Sequence, residues 1–121
     1  MGGVFIRLNN NLFLFWKIGR LVFVGRSFFD NSVFKYSNFC SYYFGNSEIF
    51  SIDNVHYMEK FYKAFPVFLN RFTELSFEHY KLIVDVSDLE KRYFYFWLAI
   101  FCRSSVSQLR SIISNDLYNF I

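Results

Sequence analysis

Two histidines, two cysteines and ten carboxylates are the side chains from which this chain would have to build acid–base, nucleophilic or metal chemistry. Such chemistry needs groups that converge, and their spacing here brings none together. His56, His79, Cys40 and Cys102 can be drawn as a zinc set, but none of the usual ligand-pair spacings is present. The cysteines fall in apolar helical patterns without CxxC spacing and read as buried, reduced thiols. His79, beside Tyr80, reads as a structural histidine bonding a helix end or neighbouring backbone. No catalytic residue, metal or cofactor is expected. A different chemistry has better support: Asn54, His56, Tyr57, Lys60 and Lys63 share the outer face of one helical segment. Amide, imidazole and phenol groups can meet base edges or phosphates there, and the two ammonium groups would bind phosphates. Arg20, with Lys17 and Arg26 near the first helix and Arg103 and Arg110 near the last, offers further phosphate contacts.

These residues must be positioned by helices, because hydrophobic periodicity runs at three-to-four spacing with no alternating strand pattern of convincing length. The expected class is all-α, a compact multi-helix single domain over residues 1–121 with a helix-turn-helix-like core. The first helix is expected over residues 11–24, burying Leu12, Phe15, Trp16, Gly19 and Val22 or Phe23, with Gly25 as its stop. The second, over 31–44, uses Val33, Tyr36, Cys40 and Phe44 inward, is capped by Asp30 or Asn31 and ends at Gly45. Ser51 should cap the third, over 52–65, which buries Val55, Met58, Tyr62 and Phe65 before Pro66. Ser76 opens a fourth with Phe77, Tyr80 and Ile83 or Val84 inward. Ser87 to Glu90 and Ser105 to Gln108 have capping-box spacing and launch two more. The last is expected to bury Val106, Leu109, Ile113, Leu117 and Phe120, leaving Ser107, Arg110, Ser111 and Ser114 outside.

The helix before Gly45, the short turn and the polar-faced helix after it match a helix-turn-helix, whose second helix enters the major groove. The net charge of +3 and pI near 8.9 suit an anionic partner, though without the strong patch of an autonomous DNA binder. A hydrophobic content of 54% against 19% charged residues excludes a disordered chain. No stretch reaches the roughly 20 apolar residues of a membrane span, since Lys17 stops one run and Arg92 and Arg103 flank another. Met1-Gly2-Gly3 carries Ile6 where a myristoylation signal has Ser or Thr, and no secretory pattern precedes it. The expected address is cytoplasmic.

The 19 Phe and 9 Tyr match what an AT-biased coding sequence favours, yet exposed rings leave a patch that something must cover. The run from Tyr93 to Cys102 is apolar all round, and a chain this short rarely encloses a helix completely. Tyr93, Trp97, Leu98 and Phe101 are therefore a second candidate site, an interface for a homodimer or another protein.

In chain order, Trp16-Lys-Ile-Gly-Arg20, Phe44-Gly45, Phe50-Ser51-x-x-Asn54, Phe61-Tyr62-x-x-Phe65-Pro66 and Leu75-Ser76-Phe77-x-His79-Tyr80 form an ordered set. Arg92-x-Phe94-Tyr95, Ser105-Val106-x-x-Leu109 and Leu117-Tyr118 extend it. The set resembles the amino-terminal domain of YhcG-type bacterial proteins from about Leu12 onward. Phe77 stands where that family has Trp. His56 and Glu59 occupy positions that are often basic, and residues 46–49 lengthen its Gly-x-Gly-Phe-Ser turn. Several positions from Trp97 to Phe101 tend to be charged in the family. The resemblance implies a helical DNA-binding module that usually precedes a PDDEXK-type nuclease domain. It implies DNA and a nuclease partner, and no catalysis by these residues alone, since the nuclease ligands are absent from the sequence. Two functional readings follow: DNA binding through the polar helix, or a protein-interaction or dimerisation module working through the aromatic helix.

Overall fold

The computed structural model describes residues 11–120; the residues of the amino-terminal targeting reading, Met1-Gly2-Gly3 and Ile6, lie outside them. The expected all-α class holds. Among the described residues there are six α-helices and no strand: α1 Leu12–Gly25, α2 Ser32–Phe44, α3 Ile52–Ala64, α4 Phe77–Val84, α5 Leu89–Cys102 and α6 Val106–Ser114. Short 3-10 turns occupy Asn70–Glu74 and Leu117–Phe120. No described helix is long and apolar enough to cross a membrane. The chain divides into two compact units, Met1–Phe72 and Thr73–Ile121.

In the first unit α1, α2 and α3 pack pairwise, α1 against α3 most extensively. Leu12, Phe15, Ile18 and Val22 of α1 and Val55, Met58 and Phe61 of α3 are buried. Phe15 meets Phe50 edge-on at 6.1 Å, and Phe61, Phe65 and Phe72 form an aromatic cluster at 5.1–6.1 Å. Gly45 ends α2 in the left-handed conformation, φ 68°, where a side chain would be strained. Gly25 does not work that way: α1 runs through it without a left-handed residue, and a Cβ there would come within 2.6 Å of Ser32 Oγ. It is a packing glycine. Asn31 precedes α2 without accepting a cap bond, and of the expected inward series only Cys40 is fully buried, Val33, Tyr36 and Phe44 being half-buried, while Ser32 and Ser37 are the other fully buried residues of α2.

In the second unit α4, α5 and α6 pack pairwise, with Phe77, Tyr80, Ile83, Val84, Tyr95, Phe96, Ala99, Ile100 and Leu109 buried. Ser76 and Ser105 close capping boxes with His79 and Gln108. The expected Ser87 box is not formed; Asp88 caps α5, accepting from the Lys91 amide at 3.0 Å. The expected seam of the last helix is also shorter than its apolar series. Helix α6 ends at Ser114, Asp116 turns the chain at φ 51°, and Phe120 is 80% exposed. The periodicity runs on in sequence, but the helical phase that would align it is broken at the turn.

Candidate nucleic-acid interface

Helix α3 begins as its sequence requires. Ser51 Oγ accepts from the Asn54 amide at 3.2 Å, and Asp53 in the first turn complements the positive end of the helix dipole. Val55, Met58, Phe61 and Ala64 go inward. His56 and Lys63 are exposed on the opposite face, with Tyr57 and Lys60 half-buried. Lys60 Nζ sits 5.0 Å from the centre of the Tyr57 ring, a cation–π pair that holds both near the surface.

Asn54 has a more structural placing than its motif suggests. Its Nδ2 donates to the carbonyls of Glu48 at 3.2 Å and Ile49 at 3.0 Å. Asn46 Oδ1 accepts from the amides of Glu48 and Ile49 at 3.1 and 2.9 Å. The lengthened connector is thus closed from both ends, by an Asx turn at its start and by the Asn54 amide from the helix it enters. What Asn54 retains for a ligand is its Oδ1 acceptor.

Three contacts set α3 against α1. Trp16 Nε1 donates to the Phe65 carbonyl at 2.7 Å. A Cβ on Gly19 would lie 2.0 Å from the Met58 carbonyl oxygen, so the two backbones touch where α1 has no side chain. Arg26 makes a two-pronged ion pair with Glu59, Nε to Oε2 at 2.5 Å and Nη2 to Oε1 at 2.6 Å, with the carboxylate only 3% exposed. Hydrogen bonding to Glu59 holds the Arg26 guanidinium above its ordinary pKa. Arg26 therefore serves the fold, and its guanidinium is already engaged by Glu59. Glu59 is its buried counter-ion. Its position four residues after Val55 on the inward stripe was the available signal. The Tyr62 ring rests on both Trp16, 5.4 Å, and Phe23, 5.6 Å. Arg20, exposed and lying between those two on α1, therefore borders the same seam as the Lys63 end of α3.

Charge divides with the units. Eight of the 13 Lys and Arg, but only four of the ten Asp and Glu, precede Thr73, giving the first unit +4 and the second −1. Arg103 and Arg110 are exposed on the second unit.

The second candidate site is also placed. Helix α5 buries Tyr95, Phe96, Ala99 and Ile100 and is not enclosed: Tyr93 and Trp97 are 39% and 38% exposed, Phe101 is 69% exposed and Leu98 is half-buried. Trp97 and Phe101 stack at 5.7 Å beside a shallow groove of about 520 Å³.

The groups with reactive potential are structural or isolated. His79 Nδ1 accepts from the Ser76 amide at 3.0 Å, which assigns the ring proton to Nε2, 2.8 Å from the Ser104 carbonyl. One imidazole thus caps α4 and ties the turn after α5 to it. Cys40 is buried and its thiol is pushed up to about 11 by desolvation. Cys102 is exposed, against expectation, because it ends α5 on the uncovered side. Among the described residues no group of three or more His, Cys, Asp and Glu is placed to hold a metal ion.

Compared with known proteins, residues 4–119 match the family model described as the DUF1016 N-terminal domain. No curated protein and no solved structure matches.

Proposed function

The chain belongs to the DUF1016 N-terminal domain family, the amino-terminal region of YhcG-type proteins, and on that premise we propose that its first unit binds DNA for a nuclease-type system. The observation that carries this reading is that the net positive charge falls in the unit whose α3 turns His56, Tyr57, Lys60 and Lys63 outward. On this reading α2, the turn at Gly45 and α3 act as a helix-turn-helix. Lys60, Lys63 and Arg20 neutralise phosphates; His56, Tyr57 and the Asn54 acceptor lie where base edges or sugar would be met. These residues are non-catalytic, and strand cleavage belongs to a nuclease domain acting with them, in a bacterial cytoplasmic setting.

The test is fluorescence anisotropy of the chain on a labelled random duplex at low and moderate salt. Lys60→Glu with Lys63→Glu takes the net charge from +3 to −1. It should lower affinity and reduce the salt slope by about 2, close to one unit for each phosphate that is no longer neutralised. Unchanged affinity in a folded double variant would remove α3 from DNA binding.

A second reading is supported by the exposed Trp97–Phe101 stack of α5, which suits a homodimer or a protein partner. Trp97→Glu should then convert a dimer to monomer in light scattering. A wild-type chain that is monomeric would remove the homodimer.

A further inference from the structure

Helix α2 exposes more rings than it buries. Its fully buried side chains are small, Ser32, Ser37 and Cys40: Ser32 Oγ donates to the Val22 carbonyl at 2.8 Å, and Ser37 and the half-buried Ser41 donate to the Phe50 carbonyl at 2.7 and 3.3 Å. Its outward side chains are rings, with Phe34, Phe39, Tyr42 and Tyr43 exposed by 52, 58, 90 and 51%. Packing alone favours the opposite arrangement. Phe39 and Tyr43, one turn apart, stack with centroids 5.6 Å apart and planes within 13°, so their faces are nearly parallel.

The same side carries one cation and no anion. Lys35 and Asn38 are exposed, Lys35 Nζ lies 5.4 Å from the centre of the Phe29 ring, and α2 carries no carboxylate. The unit to which it belongs has a net charge of +4.

We propose that the outer face of α2 is a base-stacking platform for single-stranded DNA, with Phe39 and Tyr43 as the central rings and Tyr42 and Phe34 flanking them. The inference rests on the nucleic-acid reading above and adds to its duplex-facing helix a separate face for single strands. Unstacked bases present a π-face whatever their identity, so parallel rings accept them without sequence readout, while a surrounding positive potential holds the phosphates. Charge favours a polyanion: the only charged group on α2 is the exposed Lys35, in a unit of net charge +4, and a second copy would bring charge of the same sign.

The experiment measures anisotropy of fluorescein-labelled oligothymidylate and of the matched dA·dT duplex with the full chain, together with mass by light scattering. The wild type is expected to prefer the single strand. Phe39→Ala and Tyr43→Ala should each weaken oligothymidylate binding about 5- to 100-fold while leaving duplex affinity in place, and Tyr43→Phe, which keeps the ring, should retain it. Tyr42→Ala, at a fully solvated position, supplies a further readout if either of the first two fails to fold. Preference for the duplex overturns the proposal, as does unchanged oligothymidylate affinity in the alanine variants. Duplex binding abolished in the Lys60/Lys63 variant, with oligothymidylate binding unchanged in the ring variants, would leave the earlier reading standing and remove this one. No binding of either probe at low salt removes both. A wild-type dimer dissolved by Phe39→Ala would assign the face to a second copy and likewise overturn it.

Discussion

Gly19→Ala separates local from tertiary reasoning because the two predict opposite signs. In a helix interior, Ala for Gly gains about 0.5–1 kcal/mol from reduced backbone entropy in the unfolded chain. At this position the new Cβ would stand 2.0 Å from Met58 O, 2.5 Å from Met58 C and 3.0 Å from Glu59 N, whereas ordinary contact begins at 3.4 Å. The obstacle is backbone, so no rotamer change relieves it, and α1 must withdraw from α3 by more than 1 Å. Overpacking of that kind costs about 1–3 kcal/mol, occasionally more. Withdrawal also stretches the Trp16–Phe65 hydrogen bond and the Arg26–Glu59 pair, each worth roughly 1 kcal/mol or more. After the propensity gain is subtracted, the expected net destabilisation is about 2–4 kcal/mol. With a urea dependence of about 1–3 kcal/mol per molar, the midpoint should fall by roughly 1–2 M. In a Trp97→Phe background Trp16 is the sole indole, so its fluorescence reports on the first unit. A midpoint equal to or above that of the parent would refute the close approach of α1 and α3.

Arg26→Ala should cost about 2–3 kcal/mol, at or below the low end for a broken buried pair because the arginine side is 45% exposed. Adding Glu59→Met should recover part of that stability in a double-mutant cycle on urea melts, and strict additivity would mean the two do not interact. His79→Ala removes the Ser76 and Ser104 bonds together. It should destabilise by about 2 kcal/mol, read as a drop of roughly 5–10 °C in the melting temperature; an unshifted melt would show the ring to be dispensable. A small maleimide at neutral pH should modify Cys102 quickly. Cys40, buried and with its thiol pushed up to about 11, should react only after denaturation. Two fast equivalents in the native chain would contradict its burial.

The nucleic-acid reading of the sequence was only partly legible as geometry. The outward set His56, Tyr57, Lys60 and Lys63 followed from helical period alone, because Val55 and Met58 fix which face of α3 is inward. Asn54 was on the correct helix, but its amide donors go to Glu48 and Ile49, a use that depends on the path of the connector. Arg26 looked like a free cation because its counter-ion lies 33 residues away.

The sequence by itself determined what four or five consecutive residues can decide. Ser51, Ser76 and Ser105 start helices because each hydroxyl reaches an amide three residues on. Gly45 ends α2 because a left-handed residue there carries no Cβ penalty. Only the tertiary structure decided why Gly19 is required, which carboxylate is buried, why α2 turns serines inward and rings outward, and which thiol meets solvent. Each of these depends on where a distant backbone passes: Met58 against Gly19, Phe65 against Trp16 at 49 residues' separation, the Phe50 carbonyl against Ser37. Helical period assigns a face by hydrophobicity, and that rule fails where the neighbour being packed against is itself a hydrogen-bonding main chain.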